Sequence, residues 1–416
     1  MIRRAYKIAT SDILVSSRSS CRRALPVLLA LLALLAAALA PAAGTSEAPQ
    51  SAAAVILLIG DGMGEAQRTA ARWSSVGSSG DLSMDLLEIQ DGWLKTAPAF
   101  GVVTDSAAAA TAMATGRKTL NGRIGMDRDG NPLPTILELA RDAGKATGLI
   151  TTVQLTHATP AAFAAHVPTR SMRSTIASQM IEARVDVLLG GGEDDFLPLG
   201  TTGCHPGHGS RLDGRNLVDE AREHGTAIVC TWDDLQTATW TDEPARPVLG
   251  LFADSALPEP STPSLAEMTQ AALEALSKDA DGFFLMVEGG QIDWECHDSD
   301  AAGAIASTLS FDAAVAVAID FAEGYPDTLV IVTADHETGG MELHTEATGR
   351  RGEDGPFSMP DGTAFYVTWT TDGHTATDVR VSASGPMADR LLGTHGNTYL
   401  FTVMAEALGI RVADAP

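Results

Sequence analysis

The fold is indicated first by residues 55–64, which read VILLIGDGMG. Five apolar residues in a row, without polar alternation, are typical of a parallel strand that is buried on both faces. The glycines after this run leave Asp61 at the carboxyl end of the predicted strand. Further strand-like runs alternate with predicted helices and lie at residues 147–152, 185–189, 248–252, 283–287 and 328–333. This alternation predicts an α/β fold of three layers, in which helices cover both faces of a central, mostly parallel sheet.

Polar residues follow several of these predicted strands. Ligands of open parallel sheets bind just beyond the carboxyl ends of the strands. Any one residue there can be an ordinary helix cap or turn residue, but a set of metal-binding side chains at several strand ends is harder to obtain by chance. The residues at or just past a predicted strand end are Asp61, Ser106, Thr159, Glu288, Asp335 and His336.

Residues 104–116, TDSAAAATAMATG, contain the serine of this set. The β-branched residues 102–104 before it predict a strand, and the alanine-rich run after it predicts a helix that ends at Gly116. Ser106 is therefore expected at or beside the N-cap, where free N–H groups favour an anion. Such a serine is most often a plain helix cap, so a chemical role for it depends on the rest of the chain.

The candidate ligands have spacings that suit metal ions. Asp293 and His297 are four residues apart, so a helix would place both on one face. Mixed carboxylate and imidazole ligation is typical of catalytic zinc, whereas hydroxyl and carboxylate oxygens suit magnesium. The candidate metal ligands are Asp61, Thr159, Glu288, Asp293, His297, Asp335, His336 and His374.

The composition limits the classes of partner. The chain has 416 residues, 53 acidic against 28 basic, and a formal net charge of −25. Such acidity argues against binding to nucleic acid or to an anionic membrane through broad electrostatic attraction. Cys204 and Cys230 can form a disulfide in an oxidising compartment, which would leave Cys296 unpaired, but the spacing alone does not decide this pairing.

The N-terminal residues resemble an export signal. Basic residues precede an apolar run at 24–40, and Ala40-Pro41-Ala42 offers a cleavage site. We therefore expect a signal peptide at 1–42 and a linker at 43–53, with no membrane span left after cleavage; an uncleaved anchor is the alternative. Arg22-Arg23 also permits a twin-arginine route in place of the general one. The remaining residues, 54–412, are expected to form one domain, with a glycine-rich insertion or small subdomain at 338–372.

The ordered set of motifs resembles the alkaline phosphatases over about residues 54–410. The motifs that carry the resemblance are Asp61-Gly62-Met63-Gly64, Asp105-Ser106-Ala107, Ala158-Thr159-Pro160, Val287-Glu288-Gly289, Ile292-Asp293, His297, Thr333-Ala334-Asp335-His336 and Gly373-His374-Thr375. The resemblance implies a secreted, periplasmic or extracellular homodimer that hydrolyses small phosphate monoesters through a phosphoserine intermediate.

The same resemblance implies a role for each site residue. Ser106 would be the nucleophile, Arg170 would bind the phosphate, and Asp105 would orient Arg170. Two zinc ions and one magnesium ion would be bound. The first zinc would be held by Asp293, His297 and His374, the second by Asp61, Asp335 and His336, and the magnesium by Asp61, Thr159 and Glu288.

Two positions depart from the best-known bacterial pattern. His157 stands where some members carry aspartate, and it is expected beside the magnesium site, with direct ligation as the alternative. Trp294 stands where some members carry lysine, which alters the expected contact with phosphate.

Three other functions stay open at this point. A non-catalytic relative would bind metal or phosphate without using Ser106. A phosphodiesterase or a sulfatase of the same superfamily would share much of the fold. The alanines after Ser106 differ from the C/S-x-P-x-R pattern of sulfatases, and Thr159, Glu288 and Arg170 favour a monoesterase over a diesterase.

Overall fold

A computed structural model describes residues 51–238 and 246–411 of the chain. The expected signal peptide at 1–42 and residues 43–50 of the expected linker lie outside the described residues. The whole described part forms one compact unit.

The described residues contain fifteen strands and eleven α-helices. The strands are β1 (Ala54–Gly60), β2 (Ile89–Lys95), β3 (Ala146–Gln154), β4 (Val187–Gly191), β5 (Ala227–Val229), β6 (Val248–Leu251), β7 (Phe283–Gly289), β8 (Thr328–Thr333), β9 (Glu337–Thr338), β10 (Glu342–His344), β11 (Asp354–Ser358), β12 (Ala364–Thr368), β13 (His374–Thr375), β14 (Val379–Ser384) and β15 (Gly393–Gly396). The helices are α1 (Glu65–Ser75), α2 (Ser106–Thr115), α3 (Ile136–Asp142), α4 (Ala158–Ala164), α5 (Arg173–Glu182), α6 (Leu217–Glu223), α7 (Trp232–Thr237), α8 (Leu265–Leu276), α9 (Gln291–His297), α10 (Ala301–Gly324) and α11 (Tyr399–Ala407).

Ten strands form the central sheet in the order β15-β2-β14-β8-β1-β7-β3-β4-β6-β5. Only β14 among these ten runs antiparallel to its neighbours. Helices α8 and α10 pack on one face of the sheet, and α3 and α4 pack on the other. The expected three-layer α/β fold with a mostly parallel sheet is therefore confirmed.

The register of the central strands decides which side chains meet. Ile59 of β1 lies beside Glu288 of β7 and Thr333 of β8. Every residue of these three strands is buried, as their continuous apolar runs predict. Because the strands end level with one another, Asp61 and Asp335 emerge at the same edge of the sheet as Glu288.

Helix α10 is, within the described residues, the one helix long and apolar enough to cross a membrane, with a mean hydropathy of 1.7. Half of its most apolar window is buried against the protein. Phe311 and Val315 belong to the hydrophobic core, so this apolarity serves packing between the sheet and α8.

The strand predicted at residues 102–104 is wrong. Those residues form a bend, and the side chain of Val102 is 70% exposed. A β-branched triplet does not make a strand unless a neighbouring strand pairs with it. The strand that precedes α2 is β2.

Local features decide where α10 begins, and the glycine-rich region 338–372 contains regular structure of its own. Helix α10 begins at Ala301, because Ser299 has a left-handed φ of 56° and Asp300 caps the helix by accepting from Gly303 N–H. The region 338–372 contains a separate antiparallel sheet of three strands, in the order β10-β12-β11.

A disulfide joins Cys204, in the loop after β4, to Cys230, just after β5. Cys296 is free and buried. The buried carboxylate of Glu193 supports the same loop, because its two oxygens accept from the N–H groups of Cys204 and His205.

Candidate active site

The carboxyl ends of β1, β7 and β8 meet the N-termini of α2 and α4 at one edge of the sheet. Asp61 and Glu288 come from the strand ends, and Ser106 is the first residue of α2. Helix α9 begins two residues after β7 ends, and the short ladder of β9 with β13 places His374 opposite Thr338. Local chain geometry thus brings all the predicted ligands to one place.

The first group of side chains consists of Asp293, His297 and His374. Their ligand atoms all lie within 4.8 Å of one another, close enough for a single metal ion. The carboxylate of Asp293 lies 3.4 Å from Nε2 of His297 through Oδ2 and 3.4 Å from Nε2 of His374 through Oδ1. Asp293 and His297 share one face of α9, which is helical as the four-residue spacing predicts.

The second group surrounds Nε2 of His336, which is fully buried. This nitrogen lies 3.4 Å from Oδ1 of Asp61 and 3.2 Å from Oδ2 of Asp335. Oδ2 of Asp335 is buried and has no hydrogen-bond partner. Asp293 also comes within 4.8 Å of the Asp61 and His336 ligand atoms, so this carboxylate lies between the first two groups.

The third group contains Asp61, Glu288, Thr159 and His157. The hydroxyl of Thr159 lies 3.5 Å from Oδ2 of Asp61, and Nδ1 of His157 lies 3.9 Å from Oε1 of Glu288. Both Oε1 of Glu288 and Nδ1 of His157 are buried without a hydrogen-bond partner. Nδ1 of His157 thus lies within 4.8 Å of ligand atoms of both Asp61 and Glu288.

Ser106 lies against the second group. Its Oγ is 3.2 Å from Nε2 of His336 and 3.5 Å from Oδ1 of Asp61. Asp105, and not Ser106, caps α2, because its Oδ1 accepts from the N–H of Ala108 at 3.0 Å. The hydroxyl of Ser106 is therefore not used to cap the helix.

Arg170 reaches the same place from the loop before α5. Its guanidinium donates to Oδ2 of Asp105 at 3.3 Å and lies 3.0 Å from Nε2 of His157. The ring of Trp294 meets the ring of His157 edge to face, with the ring centres 5.9 Å apart. Asp105, His157 and Trp294 therefore form the surroundings of this arginine, on the open side of the site.

The charges of the site fit bound cations. Burial, followed by the nearby carboxylates of Asp335, Asp293 and Glu288, raises the pKa of Asp61 well above its usual value, and Arg170 opposes this only in part. Carboxylates crowded together without solvent need a positive counter-charge. Oδ2 of Asp335 and Oε1 of Glu288 are buried without a hydrogen-bond partner and are available to ligate such cations.

The surroundings of the histidines shift their pKa values in different directions. A hydrogen bond with Asp293 is the main cause that raises the pKa of His297 to about 9. Burial lowers the pKa of His336, which is enclosed completely. Burial opposes ionisation of Asp293, but hydrogen bonds with His297 and His374 hold its pKa well below the usual value.

The residues that support the ligands are not among those expected from the sequence. The hydroxyl of Thr338 contacts both Asp293 and His336, and Gln67 of α1 donates to the carbonyl of Thr338 and to Glu337. Adjacency of Glu337 and Thr338 to Asp335-His336 was the available signal, whereas nothing in the local sequence points to Gln67.

Comparisons with known proteins agree on one family. The sequence profile described as alkaline phosphatase matches residues 52–360 and 361–410. Streptomycin-6-phosphate phosphatase of Streptomyces griseus is 41% identical, covering 91% of this chain and 96% of the relative. Alkaline phosphatase of Escherichia coli strain K12 is 34% identical, covering 86% of each chain.

Solved structures support the same conclusion. Alkaline phosphatase from the Antarctic bacterium TAB5 superposes with a TM-score of 0.75 at 31% identity, covering 88% of this chain and all of that one. A variant of the TAB5 enzyme with magnesium bound in its M3 site superposes equally well, at 31% identity and with the same coverage.

Proposed function

The chain belongs to the alkaline phosphatase family, and from this premise we propose that it hydrolyses phosphate monoesters by transferring the phosphoryl group to Ser106. The observation that carries this proposal is the position of the Ser106 hydroxyl. It lies within 3.5 Å of Asp61 and His336, at the start of a helix whose cap is supplied by another residue. A nucleophile in this position lies against the candidate metal ligands, and Arg170, the proposed phosphate-binding residue, is held by the neighbouring Asp105.

We propose that two zinc ions and one magnesium ion bind to the three groups. Asp293, His297 and His374 would hold the first zinc, and Asp61, Asp335 and His336 the second. Asp61, Thr159 and Glu288 would hold the magnesium, with His157 beside them, where its Nε2 accepts from Arg170. Bound there, these ions would stabilise negative charge on the attacking and departing oxygens of an in-line displacement.

The residues of the chain would act in two steps. Arg170 binds two phosphate oxygens with its planar guanidinium, which Asp105 and His157 hold in position. Oγ of Ser106 forms a bond to phosphorus while the bond to the substrate oxygen breaks, and the alcohol leaves. Water then attacks the phosphoserine, so that inorganic phosphate leaves and Ser106 regains its hydroxyl hydrogen.

The preference for monoesters is tested by a pair of substrates. p-Nitrophenyl phosphate should be hydrolysed faster than bis(p-nitrophenyl) phosphate by about 10²–10³-fold, because the second ester removes a charged oxygen that Arg170 would bind. The measurement is kcat/KM for both substrates on the zinc- and magnesium-loaded chain. Equal or faster hydrolysis of the diester would support the phosphodiesterase alternative instead.

A narrower function also has support. Next to Trp294, the first group opens to solvent at His297, whose side chain is 38% exposed. Asp298 follows directly, and the carbonyl of Asp372 accepts from His297 at 2.6 Å; both of these aspartates are exposed. An aromatic face and two carboxylates suit an alcohol that carries a positive charge. Streptomycin, named in the relative's phosphorylated substrate, carries guanidinium groups.

We therefore expect kcat/KM for streptomycin 6-phosphate to exceed that for glucose 6-phosphate by about 10-fold at low salt, and less at high salt. The double variant Asp298→Asn/Asp372→Asn should reduce this ratio. The matched control is Glu223→Gln/Asp233→Asn, which removes two exposed charges from α6 and α7, the helices on either side of the edge strand β5. Equal kcat/KM for the two substrates would contradict the narrower function.

Export and dimer formation complete the proposal. The Cys204–Cys230 disulfide supports a periplasmic or extracellular location, because such bonds persist in oxidising compartments. The homodimer follows from the family resemblance, and its mass in solution would be measured by sedimentation.

A further inference from the structure

Two of the candidate zinc-binding histidines, His297 and His374, each place Nδ1 against a main-chain carbonyl oxygen. Nδ1 of His297 lies 2.6 Å from the carbonyl oxygen of Asp372, and Nδ1 of His374 lies 2.8 Å from the carbonyl oxygen of Thr104. A carbonyl oxygen can only accept, so both rings carry a hydrogen on Nδ1. In its neutral form, which is the form that binds metal, each ring therefore presents the lone pair of Nε2 to the site.

His336 lacks a carbonyl partner of this kind. Its Nδ1 lies 3.2 Å from the hydroxyl of Thr338, and a hydroxyl can donate or accept. Which nitrogen of the His336 ring carries the hydrogen therefore depends on the acceptor to which the hydroxyl of Thr338 donates.

The second contact of that hydroxyl settles the direction. Oγ1 of Thr338 donates to Oδ1 of Asp293, and a carboxylate oxygen only accepts. The hydroxyl must then accept from Nδ1–H of His336, which leaves Nε2 without a hydrogen. That nitrogen faces Ser106, Asp61 and Asp335.

Thr338 is itself held firmly. It is fully buried, its N–H donates to the carbonyl of Gly62 at 3.1 Å, and its carbonyl accepts from Gln67 at 2.7 Å. It also pairs with His374 in the β9–β13 ladder. One residue thus contacts members of the first and second groups at once.

We propose that Thr338 is a positioning residue, whose hydroxyl holds Asp293 and fixes His336 in the form that ligates through Nε2. The inference rests on the proposed metal-binding function and adds a residue that does not itself contact the ion. Partners of this kind commonly change metal affinity by about 10–100-fold.

The test compares Thr338→Val, which has nearly the same shape without the hydroxyl, with Thr338→Ser, which restores it. Zinc affinity, measured by competition with a chelator, should fall by about 10–100-fold in Thr338→Val and stay near wild type in Thr338→Ser. Excess zinc should restore activity to Thr338→Val. The matched control is Thr269→Val, another fully buried threonine, whose hydroxyl donates to the carbonyl of Leu265 within α8.

A second measurement shows directly which nitrogen of the His336 ring carries the hydrogen. In the metal-free full chain, ¹⁵N chemical shifts should show hydrogen on Nδ1 of His336 in the wild type and in Thr338→Ser, and a mixture of forms in Thr338→Val. Unchanged zinc affinity together with an unchanged ring in Thr338→Val would overturn the inference. If Thr338→Val does not fold, Thr338→Ala against Thr338→Ser makes the same comparison. Wild-type protein that neither binds zinc nor hydrolyses monoesters would instead overturn the proposed function.

Discussion

Replacing Ser106 with alanine should lower kcat/KM for p-nitrophenyl phosphate by about 10³-fold or more, because the covalent step loses its nucleophile. The fold should persist. Asp105 supplies the cap of α2, and no hydrogen bond of the helix depends on the hydroxyl of Ser106. The melting temperature and the zinc content of Ser106→Ala should therefore match those of the wild type.

The experiment needs both an activity and a covalent readout. Acid quenching with ³²P-labelled substrate should trap phosphate on the wild type and none on Ser106→Ala. Ser79→Ala removes an exposed serine from the segment between α1 and β2, which contains no candidate site residue, and serves as the control. Full activity in Ser106→Ala would refute the mechanism, and an inactive wild type that still binds zinc would support the non-catalytic alternative.

Asp61→Asn should have effects of opposite sign on the metal-free and metal-loaded protein. In the metal-free protein, Asp61 is fully buried among other carboxylates, and burial and those neighbours raise its pKa. Removing this charge should stabilise the metal-free fold, seen as a higher melting temperature, because burial and like charges disfavour the ionised carboxylate.

The same substitution should weaken metal binding and catalysis. Asp61 belongs to the second and third groups, so the variant should lose more than about 10²-fold in kcat/KM. It should also lose most of the rise in melting temperature that zinc and magnesium give the wild type, since that rise is binding energy. Calorimetric melting with and without chelator measures both effects.

Asp312→Asn is a contrasting control for the direction of the change in melting temperature. The two oxygens of this buried carboxylate accept from the N–H groups of Ser83 and Met84 at 2.9 Å each. The NH₂ group of an asparagine would face one of these N–H groups, and two donors cannot form a hydrogen bond. This variant should therefore melt at a lower temperature both with and without metal. If Asp61→Asn also melted lower without metal, the crowding of carboxylates would not be the dominant effect.

Elements with a strong local pattern were predictable from the sequence. The continuous apolar run of β1 and its polar successor Asp61 identified both a buried strand and its functional end. The alanine-rich α2 and its terminal Gly116, which has a left-handed φ of 72°, were likewise evident. In each case the information lies within about a dozen consecutive residues.

Elements that depend on distant partners were not predictable. Strand β2 is interrupted by Asp91 and Gly92 and alternates only weakly, so its identity comes from pairing with β14, nearly three hundred residues away. The proximity of Asp293 to the second group was hidden for the same reason, since β1, α9 and β9 meet only in the folded chain. The role of Thr338 required atomic contacts that no spacing rule contains.

The carboxylate of Asp105 contacts both the start of α2 and Arg170. Its carboxylate caps α2 through Ala108, accepts from the N–H of Gly122 at 2.9 Å, and holds Arg170. If Arg170 binds phosphate as proposed, a substitution of Asp105 would alter both the stability of α2 and phosphate binding. Evolutionary change in the position of this arginine through Asp105 would also loosen the helix that carries Ser106. Variation in specificity should accumulate instead at positions such as Trp294, which no such contact ties to the helix.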